Sequence, residues 1–169
     1  PTEAEWEKAA RGTDGRRYPW GDEPATCVHA VIRDHRGRSC GVKKSGASRD
    51  KGRTFVVATR PPNPRGLYDM SGNAWEWVHD WYSSSYGACG DPCSRPNPRG
   101  PCDGRDPCPG RVHRVVRGGS WYYGPDRATT TFRRHHFPDN QPYHHFGFRC
   151  AATPEEAARL SGTARASLP

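Results

Sequence analysis

The sequence lacks any run that approaches the roughly 20 consecutive apolar residues of a membrane-spanning helix, and it shows no signal-peptide pattern. Hydrophobic residues make up only 33% of the 169 residues, while 17 prolines and 19 glycines interrupt the chain. This composition suits one domain with a small core and long loops. The cellular location is left unknown, with the cytoplasm only weakly favoured, because a preceding segment would be able to carry a leader or an anchor.

Basic residues outnumber acidic ones, 26 to 18, and give a formal net charge of +8. Their clearest cluster lies within residues 33–53. A nucleic-acid interface also needs a recognition helix or a strand of stacking rings, and neither accompanies this cluster. A solvated, glycine-rich loop is therefore the favoured interpretation, and nucleic acid is a partner that we do not favour.

Two segments predict helices and three predict short strands. Thr2 as N-cap and Glu5 three residues later form a capping box for a helix that ends at the glycine of position 12 and buries Trp6 with the following alanines. A second capping box at residues 153–156 starts a helix that we expect to end at residues 161–162. The predicted strands span residues 54–59, 111–117 and 146–151.

Residues 66–82 combine three tryptophans, a Gly-Asn turn and three carboxylates. Trp75, Trp77 and Trp81 predict an aromatic core. Asp69, Glu76 and the carbonyls of residues 71–73 are hard oxygen donors at a spacing suited to calcium. Spacing alone favours, by about two to one, the simpler interpretation that both carboxylates only cap turns.

Seven cysteines are many for a chain of this length. Four lie together in a loop rich in proline and glycine, namely Cys89, Cys93, Cys102 and Cys108. Disulfides, with three pairings open, are favoured by about two to one over a four-thiolate zinc site, because the usual short-spaced cysteine pairs are missing. Cys27 and Cys40 flank another loop, and Cys150 is expected to be a buried small hydrophobe.

Five blocks follow one another along the chain: PTEAEWEKAARG, YPWGDE, GLYDMSGNAWEWVHDWY, RVVRGGSW and GFRCA. On these blocks the chain resembles the formylglycine-generating enzyme (sulfatase-modifying factor) family, a branch of the C-type-lectin-like fold. The resemblance implies an α+β, loop-rich domain with few helices and short antiparallel strands. It covers residues 1–152, implies an additional amino-terminal part of the domain, and leaves residues 153–169 as an appended helix and tail.

The resemblance also implies a structural calcium ion, held by the Asp69 and Glu76 carboxylates and the Gly72 and Ala74 carbonyls. The family's second calcium site draws on the region equivalent to residues 27–60, where the basic insertion of this chain departs from the family pattern.

The family's enzymes bind copper through two cysteines that follow the serine of the Arg-Gly-Gly-Ser block by three and eight residues. That serine is Ser120 here, and the two positions hold Tyr123 and Ala128. Neither a phenol nor a methyl group replaces the thiolate that selects Cu(I). Copper is therefore not expected, and the chain leans away from enzymatic activity.

Residues 121–146 are crowded with tyrosine, histidine, phenylalanine and arginine, the composition of a binding surface. Neighbouring histidines cannot both point inward from one strand, and they rarely converge on one metal ion. The candidate ligand-binding residues are Trp121, Tyr122, Tyr123, Arg133, His135, His136, Phe137, Tyr143, His144 and His145.

The same segment resembles the variable region of diversity-generating retroelement proteins, which is rewritten at adenines in asparagine codons. Randomising the codon AAC reaches every residue type in 121–146 except those of Trp121 and Gln141. The resemblance implies a ligand-binding module that contacts a protein or another macromolecule. A divergent metal-dependent oxidoreductase is the alternative, and an accessory domain of a larger signalling protein ranks third.

Overall fold

The computed structural model describes residues 1–42, 52–139 and 145–166, with side chains described to residue 160. The helices are α1 (Glu3–Arg11), α2 (Tyr86–Cys89), α3 (Asp91–Ser94) and α4 (Pro154–Ala166), and the strands are β1 (Trp75–Trp81), β2 (Arg114–Arg117), β3 (Arg134–His136) and β4 (Phe146–Phe148). Single 3-10 turns occur at Arg38–Gly41, Pro101–Gly104 and Pro125–Arg127. Two predicted contact residues, Tyr143 and His144, lie outside the described residues.

Helix α1 begins and ends where its sequence signals indicate. The Thr2 hydroxyl accepts the Glu5 N–H at 3.2 Å, and the Glu5 carboxylate accepts the Thr2 N–H at 2.8 Å, so the capping box is confirmed. Trp6 and Ala10 are buried and pack in one cluster with Met70, Val78 and Val115. The helix therefore covers one face of the sheet.

The sheet has the order β3-β2-β1-β4. The β1–β2 and β2–β3 pairs are antiparallel, whereas β4 runs parallel to β1 with Trp75 opposite Phe146. The expectation of antiparallel strands is thus corrected for this pair, because the long chain between β1 and β4 returns to the end of the sheet at which β1 begins.

The predicted strand at residues 54–59 is wrong, and the other two are shorter than predicted. The Phe55 N–H donates to the Asn73 side-chain oxygen and the Ala58 N–H donates to the Asp69 carboxylate, both at 2.8 Å. These backbone donors are satisfied by side chains of the neighbouring loop, so the segment forms no ladder with another strand.

The cysteines form three disulfides, Cys27–Cys40, Cys89–Cys93 and Cys102–Cys108. This resolves the pairing left open by the sequence, and no thiolate of the four-cysteine loop remains for zinc. Cys150 is free and exposed, contrary to the expectation of burial, because the chain has already left the sheet after Phe148.

Buried ion pairs connect α1 to strand β2 and to the residue that precedes β3. The Arg133 guanidinium donates to both Glu3 carboxylate oxygens, at 2.6 and 2.8 Å, and to the Ser83 carbonyl at 2.9 Å. Arg117 is fully buried and forms an ion pair with Glu7. Arg133, which the sequence assigns to ligand contact, thus uses these donors on groups of the scaffold.

Helix α4 begins with the predicted capping box, in which the Thr153 hydroxyl accepts the Glu156 N–H at 3.2 Å. It continues past the expected end at residues 161–162 and reaches Ala166. Over the residues that the structure describes, no helix has both the length and the apolar character needed to cross a membrane.

Candidate functional site

The two histidines of β3 point to opposite faces of the sheet. His135 lies opposite Val115, which belongs to the core beneath α1, while Arg134 lies opposite Val116. Because side chains alternate along a strand, Arg134 and His136 share the face that lies away from α1. The predicted contact residues therefore belong to two different surfaces.

Tryptophans of β1 organise the face away from α1. Trp75 is fully buried, and its ring centroid lies 5.8 Å from that of Tyr123 and 5.9 Å from that of Phe132. Trp77 lies 5.4 Å from Phe146 and 6.3 Å from His136. We call this assembly the outer ring cluster; its remaining rings are Trp121, Tyr122 and His145.

Within the outer ring cluster, some rings support others. Trp121 is fully buried and His145 is only 7% exposed, and both pack against Tyr122 at 5.6 and 5.5 Å. Tyr122 itself lies 5.0 Å from Tyr123, and these two rings and His136 are half-buried. Tyr122, Tyr123 and His136 are thus the predicted contact residues that the cluster presents at its surface.

His135 belongs instead to a smaller group at the end of the sheet. Its ring lies 4.3 Å from Tyr82 and 4.5 Å from His113, and His113 lies 4.1 Å from Phe137. Although His135 is exposed, partial desolvation of its ring, followed by the charges of His113, Arg134 and His136, lowers the pKa of His135. His113 was not predicted from the sequence. It lies two residues before Val115, the strand partner of His135, so the alternation of side chains places it on the same face as Val115 and His135.

Two arginines contact the paired tyrosines. The Arg38 guanidinium lies 3.7 Å above the Tyr122 ring, and the Arg134 guanidinium donates to the Tyr123 hydroxyl. Arg127 lies 4.6 Å over the Phe132 ring. Arg38 was not predicted, because the sequence places it in a basic loop more than 80 residues before the tyrosines.

The positions equivalent to the copper-binding cysteines hold groups with other roles. Ala128 is 1% exposed and packs with Tyr18 and Ile32 in a second core cluster. The Tyr123 hydroxyl accepts a hydrogen bond from Arg134. Across residues 1–42, 52–139 and 145–166, no three histidine, cysteine or acidic side chains converge as a metal site would require.

Three of the four residues expected to hold calcium line one cavity of about 590 Å³, namely Asp69, Ala74 and Glu76. Arg149 lines the same cavity and donates to the two Glu76 carboxylate oxygens at 2.5 and 2.6 Å. The two carboxylates supply the hard oxygen donors that suit calcium. A cation at Glu76 would have to compete with the guanidinium that already neutralises it.

The fourth residue, Gly72, lies in the turn between these carboxylates. Its φ is +77°, and a Cβ added to it would lie 2.6 Å from the Val31 carbonyl oxygen. Only glycine fits this close approach of two backbones. The turn that carries the Gly72 carbonyl therefore requires glycine at this position.

Residues 1–154 match the family described as sulfatase-modifying factor enzyme 1-like domain. The formylglycine-generating enzyme of Thermomonospora curvata is 39% identical over 165 residues, and the match covers 91% of this chain and 49% of the relative. The serine/threonine-protein kinase pkn1 of Chlamydia pneumoniae is 38% identical over 156 residues, covering 89% of this chain and 20% of that protein. The chain thus spans about half the length of the first relative and a fifth of the second.

Among solved structures, Treponema denticola variable protein 1 superposes with a TM-score of 0.63 at 31% identity, covering 88% of this chain and 45% of that one. The expected α+β fold of the formylglycine-generating-enzyme type is confirmed by this match and by the family assignment. The chain belongs to the sulfatase-modifying factor enzyme 1-like family.

Proposed function

We propose that this chain is a ligand-binding module, a retroelement-diversified variable protein that contacts a macromolecular ligand through the outer ring cluster. The observation that carries the proposal is the half-buried group Tyr122, Tyr123 and His136, in which Tyr122 and Tyr123 pack against the buried rings of Trp121 and Trp75. Rings with few rotatable bonds, held from beneath, lose little conformational entropy on binding. The likeness to a variable protein supports the same assignment.

A divergent oxidoreductase is the alternative, because a formylglycine-generating enzyme is 39% identical to this chain. Against it, the side chains of Tyr123 and Ala128 supply no thiolate at the two positions where the family resemblance implies copper ligands. Oxygen consumption with a cysteine-containing peptide, measured with added copper or iron, tests this activity. Metal-dependent turnover would support the enzyme over the binder.

The binding proposal is tested by selection from a random dodecapeptide library displayed on phage. Selected peptides are then compared on the wild type, on Tyr122→Ala and on His136→Ala, with melting curves to verify folding. His29→Ala is the matched control, because this half-buried histidine also contacts a tryptophan ring but lies outside residues 121–146. Loss of binding in the first two variants alone supports the proposal, and binding that ignores both overturns it.

We further propose that Asp69, Gly72, Ala74 and Glu76 hold a structural calcium ion. The Asp69 and Glu76 carboxylates line one cavity, and an ion bound there would add positive charge beside them. Because an ion bound only by the folded state stabilises that state, calcium should raise the melting temperature.

A further inference from the structure

Two guanidinium groups flank the tyrosine pair of the outer ring cluster. Arg38 lies 3.7 Å above the Tyr122 ring, Arg134 lies 5.1 Å from the Tyr123 ring centroid, and the two tyrosine centroids are 5.0 Å apart. The rings hold each guanidinium in place through cation–π contact. A ligand that covers the tyrosines must therefore meet both positive charges.

These two guanidiniums retain donors for a ligand. A guanidinium has five N–H donors, and Arg134 uses one of them on the Tyr123 hydroxyl. Over the described part of the chain, neither Arg38 nor Arg134 forms an ion pair or another side-chain hydrogen bond. Their charges are thus not neutralised by any carboxylate that the structure describes.

The carboxylate nearest to Arg38 in sequence and the carboxylate nearest to the two tyrosines are already engaged. Asp34 forms an ion pair with Arg36 at 2.8 Å, and Asp126 forms one with Arg127 at 2.9 Å. The two guanidiniums beside the tyrosines therefore have no carboxylate partner among the described residues, and charge complementarity favours an acidic partner.

The packing of the rings argues against a nucleic acid as that partner. Single-stranded nucleic acids gain affinity by stacking bases on open aromatic faces. The Tyr122 ring is covered by the Arg38 guanidinium and is also stacked by His145 at an interplanar angle of 29°. Arg127 likewise covers Phe132. A base would have to displace these planar groups, whereas a carboxylate would bind the outward N–H donors without moving them.

We infer that the outer ring cluster recognises an acidic protein segment, whose aspartate or glutamate carboxylates bind the Arg38 and Arg134 guanidiniums while its neighbouring atoms contact the accessible parts of Tyr122 and Tyr123. This inference rests on the proposed binding function and adds the chemistry of the ligand. Charge-assisted, bidentate contacts to arginine supply the selectivity for carboxylates.

The test uses the peptides selected from the dodecapeptide library and compares their affinities for three proteins. Arg38→Gln with Arg134→Gln removes the two flanking charges. Arg65→Gln with Arg99→Gln removes the same net charge from exposed arginines outside the cluster. We expect acid-rich peptides, a loss of affinity of roughly tenfold or more in the first double variant, and little change in the second. A 20-nucleotide poly(dT) strand is measured in parallel.

The possible outcomes test the binding function and the inference about an acidic ligand separately. Peptides that depend on Tyr122 and His136 but carry no excess of acidic residues would overturn the inference and leave the binding function standing. Equal losses of affinity in the two arginine double variants would show that net charge alone explains the effect, and would also overturn the inference. Tighter binding of poly(dT) than of the acidic peptides would assign the surface to nucleic acid. If no selected peptide depends on the cluster, both the function and the inference fail.

Discussion

Replacing Asp80 by asparagine should change how the stability of this protein depends on pH. Asp80 is 2% exposed, and one carboxylate oxygen accepts the Glu3 N–H at 2.6 Å. Burial raises the pKa of Asp80 to about 6, from an ordinary value of 3.8, with the Glu3 carboxylate adding to the increase and the Glu3 N–H and Arg133 opposing it. The ionised carboxylate is therefore unfavourable in the folded state.

The sign follows from proton linkage. Between about pH 4 and pH 6, the folded state holds the Asp80 proton more tightly than the unfolded state does, so the wild-type free energy of unfolding falls as the pH rises through this window. A shift of about two pKa units corresponds to about 3 kcal/mol. Asparagine does not titrate, and its side-chain oxygen can still accept the Glu3 N–H.

Urea unfolding at a series of pH values, with the disulfides intact, measures the effect. We expect the stability of Asp80→Asn relative to wild type to increase by about 3 kcal/mol between pH 3.5 and pH 7. Any pH-independent cost of the substitution shifts the whole profile and leaves this difference unchanged. Asp126→Asn, on the surface, controls for the removal of one carboxylate. Parallel profiles for wild type and Asp80→Asn would refute the assignment of a burial penalty.

Two further predictions concern the loops. Replacing Cys27 and Cys40 by serine removes a disulfide between residues 13 positions apart and should lower the free energy of unfolding by roughly 3 kcal/mol; an unchanged urea midpoint would contradict this. Chelating calcium from protein shown beforehand to contain it should lower the melting temperature, with a stabilisation of about 2.7 kcal/mol at 100-fold excess over Kd. Asp69→Ala should abolish the calcium-dependent shift, and an identical shift in that variant would contradict the proposed ligand set.

The helices were predictable because their signals are local. Thr2 and Glu5 cap α1 through contacts three residues apart, and Thr153 and Glu156 do the same for α4. The end of α4 was misjudged because a glycine at position 162 lies inside the helix rather than after it.

The strands depended on contacts that no local pattern encodes. Val56 and Val57 suggest a strand, yet the backbone donors around them bind side chains from residues 69–73. Strand β1 has a period-two pattern, with Trp75 and Trp77 on one face and Val78 on the other. It was not predicted as a strand, because its carboxylates were interpreted as ligands of a cation. The ion pair of Arg133 was not predicted, because its partner Glu3 lies 130 residues away in sequence.

If residues 121–146 are diversified as proposed, the division of the sheet into two faces limits which of these positions are able to vary. Arg133 and Thr130 lie in the segment that the genetic code would allow to be rewritten, but Arg133 neutralises buried Glu3. The fully buried Thr130 hydroxyl donates to the carbonyls of residues 16 and 17, at 3.0 and 3.1 Å. Removing one partner of a buried ion pair costs several kcal/mol. Diversification compatible with folding should therefore concentrate at Tyr122, Tyr123 and His136, and sister genes that vary equally at Arg133 would contradict this separation of scaffold from contact surface.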